Sequence, residues 1–218
     1  LLAVWSITTP ARITRDEAWL AVMNFLNCVQ DKESGSSLSL RAILSSVVPD
    51  LTSTWSEALH SLSGHRPIVV GPGIKTAIQM SYNNPSELGS DRIAAIVAAK
   101  KLYGSPLVII DCGITINYQV LDLEGVYVGG LIVPGLSLSA RVLAEATARL
   151  PIVELSIPTG ILGKNTQESL QSGIVRGEAA RINGLIEMIS NEIGYEATIV
   201  MTGKDAALLA PLLKRDVE

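Results

Sequence analysis

Two stretches of this chain place acids and glycines where chemistry could be done. The first is Ile109-Ile110-Asp111-Cys112-Gly113-Ile114-Thr115. A continuous apolar run reads as a strand buried on both faces. An acid at the carboxyl end of such a strand projects into the crevice where α/β folds bind ligands. The glycine lets backbone approach a phosphate closely, and the acid can hold a cation. A tight turn with a solvated Asp is the ordinary alternative, but an acid set directly against an apolar strand favours function. The second stretch is Tyr82-Asn83-Asn84-Pro85-Ser86-Glu87-Leu88-Gly89-Ser90-Asp91-Arg92, a loop leading into a helix. Asp91 stands in the first helical turn, where the helix dipole favours a carboxylate, and taken alone an ordinary N-terminal acid explains it.

Other motifs are weaker. Gly125, Gly129-Gly130 and Pro134-Gly135 imply turns or strands in close approach. Gly160-Ile161-Leu162-Gly163-Lys164-Asn165-Thr166 lacks the spacing of a G-x-x-x-x-G-K-[ST] phosphate loop, because Asn165 separates Lys164 from Thr166. It reads as a polar loop capping the next helix, with substrate contact as the open alternative. Gly203 follows an apolar strand ending in Met201-Thr202. His60 and His65 have no partner at metal or triad spacing and read as surface or capping residues. Cys28 and Cys112 lie far apart and form neither a disulfide framework nor a metal set.

The elements that must position these residues follow from periodicity and punctuation. Leu1 to Thr8 reads as a strand. Thr14 caps a helix from Arg15, with Glu17 completing a capping box, and Ala18, Val22, Phe25, Leu26 and Val29 form its apolar face. Gln30 to Ser39 is a polar loop. Ala42 to Pro49 reads as a buried strand ended by its proline, followed by a helix from Leu51 to Leu62. The strand Pro67 to Val70 enters a Gly71-Pro72-Gly73 turn. Asp91 to Leu102 is helical and Gly104 stops it. Leu107 to Asp111 is a strand, and Asn117 to Leu123 pairs antiparallel with Gly125 to Val133 through an Asp122-Leu123-Glu124-Gly125 turn. Helices span Ser139 to Arg149, Gln167 to Ile193 and Asp205 to Leu213, with a last strand at Thr198 to Met201. Strands alternating with helices, plus a hairpin, predict an α/β fold with a mixed sheet. A domain break is expected near Gly104-Ser105.

Composition sets the outer limits. The chain has 218 residues, 48% of them hydrophobic and 17% charged, which excludes intrinsic disorder. Only 4% are aromatic, so Leu, Ile, Val and Ala must build the core. No run approaches the ~20 apolar residues of a membrane span. The apolar surplus therefore points to buried strands or to a contact between subunits. A net charge of −4 without a basic run argues against a nucleic-acid partner. No secretion signal is legible, and a cytoplasmic location is expected. The chain opens on Leu1-Leu2-Ala3-Val4 without Met, so residues are expected to precede position 1.

Taken together, these motifs resemble type III pantothenate kinase, within the acetate and sugar kinase/Hsc70/actin superfamily. The likeness runs in order through most of the chain. It covers Ser45-Ser46-Val47-Val48-Pro49, Val70-Gly71-Pro72-Gly73-Ile74-Lys75-Thr76, Tyr82…Glu87-Leu88-Gly89-Ser90-Asp91-Arg92-Ile93 and Asp111-Cys112-Gly113. It continues through Gly129-Gly130…Pro134-Gly135, Leu150-Pro151, Gly163-Lys164-Asn165-Thr166 and Gln171-Ser172-Gly173.

The resemblance implies an α/β fold of two actin-like (ribonuclease H-like) domains with mixed sheets flanked by helices. The expected boundaries are 1–105, lacking its first strands and phosphate loop, and 106–218. It also implies ATP-dependent phosphorylation of pantothenate, the first step of coenzyme A biosynthesis, by a homodimer. Asp91 would be the general base, with Tyr82, Gly89, Ser90, Arg92 and Thr166 around pantothenate. Gly113, Ile114, Thr115 and Gly203 would serve ATP. Asp111 would hold an activating monovalent cation, K⁺ or NH₄⁺, and Mg²⁺ would accompany ATP.

Three departures from the family pattern fall on the ATP side. The opening D-x-G-N-T loop is absent from this sequence. The usual D-F-G-T-A-T-T reads Asp111-Cys112-Gly113-Ile114-Thr115-Ile116-Asn117, so Ile114 replaces a hydroxyl that Thr115 could supply one place on. The usual T-G-G reads Thr202-Gly203-Lys204. These departures keep a second reading open, a non-catalytic relative acting as a binding or regulatory protein. Asp91, Asp111 and Thr166 favour the enzyme.

Overall fold

The computed structural model describes residues 3–30, 40–71, 73–76 and 78–218. The loop expected over Gln30 to Ser39, the start of the expected first strand at Leu1-Leu2, and Pro72 of the expected turn fall largely or wholly outside them. The chain forms two compact units, Leu1–Lys75 with Ser86–Ala94, and Thr76–Pro85 with Ala95–Glu218.

In the first unit, helix α1 (Arg15–Gln30) starts on the expected capping box. The Thr14 N–H donates to Glu17 Oε2 at 2.8 Å, and the Glu17 N–H donates back to Thr14 Oγ1 at 3.2 Å. Residues 3–10 are irregular rather than a strand. An extended segment becomes a strand only against a ladder partner, and among the described residues none pairs with it. Trp5 instead stacks on Phe25 of α1, ring centroids 5.8 Å apart.

The stretch expected as a buried strand from Ala42 to Pro49 yields only β1 (Ile43–Ser45), and Ile43 is exposed. Pro49 does not close the strand but opens helix α2 (Pro49–Ser63), where its missing N–H is no loss. Gly64, at φ 68°, ends α2 in the left-handed conformation that favours glycine. Strand β2 (Ile68–Val70) pairs parallel with β1. Helix α1 packs on α2, and α2 on β1.

Helix α3 (Ser90–Tyr103) has its first turn in the first unit and the remainder in the second. The second unit is built on a four-stranded sheet of order β5-β4-β3-β6. Strands β3 (Leu107–Cys112), β4 (Thr115–Leu121) and β5 (Tyr127–Pro134) form an antiparallel meander, and β6 (Thr198–Thr202) lies parallel to β3. The β4–β5 turn is held by Asp122, whose carboxylate accepts from the Glu124 and Val126 N–H groups.

Alternation along the strands sends Val108, Ile110, Cys112, Ile116, Tyr118 and Val120 into one apolar core. Helices α4 (Leu136–Ala146) and α6 (Gly177–Ile193) cover that core with Leu136, Ala140, Ile182 and Ile186. The expected α/β class with a mixed sheet flanked by helices is the one observed. Helix α4 starts three residues before its expected first residue, because Gly135 serves as its N-cap.

The helix expected from Gln167 to Ile193 is α5 (Thr166–Gln171), a π-turn over Ser172–Arg176, and α6. The segment from Asp205 to Leu213 is only the short α7 (Ala206–Leu209) and a 3₁₀ turn (Ala210–Leu212). Pro211 lacks the N–H that a longer helix would need. Among the described residues no helix is long and apolar enough to cross a membrane.

Candidate active site

Two places in the fold carry most of the residues singled out above. In the first unit, a 3₁₀ turn (Pro85–Glu87) leads through buried Leu88 to Gly89, and α3 begins at Ser90. Asp91 is exposed in the first turn of α3. A Cβ on residue 89 would lie 2.5 Å from Asp91 Oδ1, so the carboxylate rests against main chain that has no side chain of its own. Arg92 is half-buried beside it. The Ser90 side chain turns inward and donates to the Ser46 carbonyl at 2.8 Å. An open cavity of about 460 Å³ lies alongside, lined by Ser46, Val47, Thr52, Val70, Gly89 and Ser90.

In the second unit, β3 and β6 end side by side, with Asp111 paired to Thr202. Gly203 has φ 93° and no room for a side chain: a Cβ there would lie 2.5 Å from the Cys112 carbonyl oxygen and 2.7 Å from Asp111 Oδ1. The Asp205 N–H donates to that same carbonyl at 3.1 Å. Asp205 Oδ2 is buried without a hydrogen-bond partner among the described residues. Asp111 Oδ1 and the Cys112 carbonyl thus both face Gly203, and the Asp205 main chain closes on that carbonyl with its buried carboxylate close in sequence. Such an all-oxygen donor set suits a hard cation, so the residues present fit a monovalent cation at Asp111.

The loop between β3 and β4 is closed by the Gly113 N–H donating to the Thr115 carbonyl at 3.1 Å. Ile114 is 67% exposed and offers no polar group. Register places Asp111 opposite Asn117, and strand alternation puts Thr115 on that same face. Thr115 Oγ1 accepts from Asn117 Nδ2 at 3.2 Å, which leaves its own proton to donate elsewhere. Lys204 extends from the end of β6 and donates to Ser137 Oγ in the first turn of α4, at 3.1 Å.

The two remaining expected substrate residues, Tyr82 and Thr166, lie on different elements of the second unit. The Tyr82 ring lies 5.6 Å from that of buried Tyr127, tilted by 46°. The chain is held there by the Ser81 N–H donating to the Tyr127 carbonyl at 2.8 Å. Thr166 is exposed as the first residue of α5. The preceding loop does cap this helix: Asn165 Oδ1 accepts from the Glu168 N–H at 2.9 Å, and Glu168 accepts from the Lys164 N–H at 2.8 Å. His60 and His65 are exposed, in α2 and in the loop after it.

Sequence reasoning missed the roles of four participants. Ser46 and Thr52 lie some forty residues from Ser90, and nothing local marks them as its neighbours. Asp205 has no motif of its own. Glu178, only 5% exposed, is ion-paired to Arg181, which also donates to the Pro134 carbonyl at 2.7 Å. Burial pushes the Glu178 carboxyl up and Arg181 draws it partly back. This pair ties α6 to the end of β5.

The comparisons with known proteins agree in direction. A family model described as type III pantothenate kinase matches residues 1–188. The type III pantothenate kinase of Bacillus cytotoxicus is 37% identical over 207 residues, covering 94% of this chain and 78% of that protein. That of Thermomicrobium roseum is 37% identical over 215 residues, covering 98% and 81%. Among solved structures, a conserved Baf family protein from Campylobacter jejuni superposes with a TM-score of 0.54 at 19% identity, over 90% of this chain and 79% of its own. At that identity the likeness speaks for the fold alone.

Proposed function

The chain belongs to the type III pantothenate kinase family, and from that premise we propose that it transfers the γ-phosphoryl group of ATP to the primary hydroxyl of pantothenate. The product is 4′-phosphopantothenate, and the reaction opens coenzyme A biosynthesis. The observation that carries this reading is the turn at Gly89-Ser90-Asp91-Arg92. It presents an exposed carboxylate, seated on glycine main chain, beside a cavity large enough for a small acceptor.

Asp91 takes the hydroxyl proton as the acceptor oxygen bonds to the γ-phosphorus and the bond to the ADP oxygen breaks. Phosphoryl transfer asks little covalent chemistry of a protein, so positioning and charge neutralisation supply most of the rate. Arg92 brings positive charge to the acceptor, and Tyr82, Gly89 and Thr166 complete its surroundings. On the nucleotide side, Gly113, Ile114, Thr115 and Gly203 approach ATP, with the Thr115 proton directed to a phosphate oxygen. Asp111, the Cys112 carbonyl and Asp205 would hold the monovalent cation, K⁺ or NH₄⁺. When bound, that cation offsets phosphate charge. Mg²⁺ arrives with ATP.

A homodimer, a division into domains 1–105 and 106–218, and a cytoplasmic location belong to the same proposal. Its test is an assay coupling ADP release to pantothenate, run in K⁺ on the purified protein with its mass in solution measured alongside. Pantothenate-dependent ADP release is the expected result. A protein that binds pantothenate without turning it over would overturn the enzyme reading.

A further inference from the structure

Ser90 sits inside the acceptor loop, yet its hydroxyl is committed to the protein. It donates its one proton to the Ser46 carbonyl at 2.8 Å and accepts from Ser45 Oγ at 3.2 Å. The residue is 5% exposed. Ser46 is tied in turn: its hydroxyl accepts from Thr52 Oγ1 at 2.8 Å and lies 3.2 Å from the Val48 carbonyl, to which it donates. One run of hydroxyl bonds therefore joins the end of β1, the first turn of α2 and the first turn of α3. Within α3 the turn is closed by the Ile93 N–H donating to the Gly89 carbonyl at 3.1 Å. That bond gives the helix its pitch, but it does not locate the helix in the unit. The Ser90–Ser46 bond does locate it.

We propose that Ser90 is a positioning residue for Asp91 rather than a ligand of pantothenate, and that its bond to Ser46 fixes where the Asp91 carboxylate stands. This rests on the reading of Asp91 as general base. For the Ser90 hydroxyl to turn to substrate it would have to give up its bond to the part-buried Ser46 carbonyl. As an anchor it costs nothing at the moment of reaction. Its value is geometric, since displacing a reacting group by about 1 Å can slow a reaction about a hundredfold. Room exists for the conservative replacement, because Ser90 borders the open cavity.

The experiment compares Ser90→Ala, Ser90→Thr, Asp91→Asn and the double variant Ser90→Ala/Asp91→Asn in the full chain. Ser90→Ala should lower kcat about tenfold or more while the KM for pantothenate moves by less than about twofold, the pattern of an interaction realised in the transition state. Ser90→Thr keeps the hydroxyl and should recover most of the loss. The double variant should be no slower than Asp91→Asn, because Ser90 acts through the carboxylate already removed. A raised KM at unchanged kcat, or losses that multiply in the double variant, would overturn the proposal. If Asp91→Asn turns over normally, the base assignment itself fails. If Asp91→Asn is inactive while Ser90→Ala keeps full kcat, only the positioning role fails. Should Ser90→Ala not fold, Ser45→Ala weakens the same anchor from its exposed end. It should show the same split at about threefold, and an unchanged kcat there counts against the anchor.

Discussion

Gly89 and Asp91 are in contact through an absence: a Cβ on residue 89 would lie 2.5 Å from Asp91 Oδ1. The conflict is with the end of a side chain, not with main chain, so a methyl group at 89 displaces the carboxylate rather than the helix. Gly89→Ala should therefore lower kcat about tenfold to a hundredfold. The melting temperature should barely move, because the position is a loop beside the surface. Steady-state rates together with a thermal melt check this, and full activity in Gly89→Ala would show that the seat of Asp91 is not needed.

Asp91→Asn removes the proton acceptor and keeps the shape. General-base catalysis is worth about 10²–10⁴-fold, and that loss is expected in kcat. The exposed carboxylate also interacts with the α3 dipole, so the substitution should cost about 0.3–1 kcal/mol of stability. Pantothenate affinity measured by calorimetry should be nearly unchanged. Turnover within threefold of the parent would remove Asp91 from the mechanism.

Under the proposed assignment, Thr115 offers ATP the hydroxyl that Ile114 lacks. Thr115 Oγ1 already accepts from Asn117 Nδ2, so its own proton is the one the proposal directs to ATP. Thr115→Val should raise the KM for ATP by about tenfold to a hundredfold, the value of one hydrogen bond to a charged group. Ile114→Thr, restoring the family residue, should lower it. Equal ATP parameters in all three proteins would show that neither side chain meets the nucleotide.

Much of this could be read from the sequence, and the failures share a physical cause. The capping box of Thr14 and Glu17, the strand Leu107 to Asp111, the Asp122 turn and the Gly104 stop are local signals, set by residues within a few positions of each other. The stretch Ala42 to Pro49 misled because apolar β-branched residues read as a buried strand whatever covers them. Ile43, Val47, Ile68 and Val69 are in fact exposed. The π-turn at Ser172–Arg176 carries no breaker that pattern reading could find. The Ser46–Ser90 anchor joins residues far apart in sequence, and only tertiary packing decides which hydroxyls meet. The motif residues of the acceptor loop were legible, but the division of labour among them was not.

The corner of Asp111, the Cys112 carbonyl and Asp205 leads to an ionic prediction. Activity should depend on K⁺ or NH₄⁺ and fall in Na⁺ alone. Asp111→Asn should raise the K⁺ concentration giving half-maximal rate. Gly203→Ala should do worse, since its Cβ would press on both the Cys112 carbonyl and Asp111 Oδ1 and its φ of 93° disfavours alanine. A protection assay gives a reading independent of turnover: K⁺, unlike Na⁺, should raise the melting temperature of the parent and not of Asp111→Asn. Identical melts in both salts would place the cation elsewhere.

The two cysteines should separate cleanly by chemistry. Cys28 is exposed on α1, whereas Cys112 is fully buried at the end of β3. Burial, reinforced by the charges of Asp111 and Asp205, pushes the Cys112 thiol up to about 12. The thiolate is the reactive form, so at pH 8 a disulfide reagent should titrate one thiol quickly and the second only on unfolding. The same shift sets a sign for stability. A thiol whose native pKa stands above its unfolded value of 9.0 is neutral in both states below that value, and there its contribution is whole. As pH rises from 9 toward 12 the unfolded chain releases the proton and the native chain does not. Stability then declines by up to about 1.4 kcal/mol per pH unit from this group. Cys112→Ala loses packing at every pH but not this slope, so the stability gap between parent and variant should narrow between pH 9 and 11. Chemical denaturation at pH 7, 9, 10 and 11 measures it, and a gap that stays constant would mean the thiol ionises as readily in the fold as in the unfolded chain.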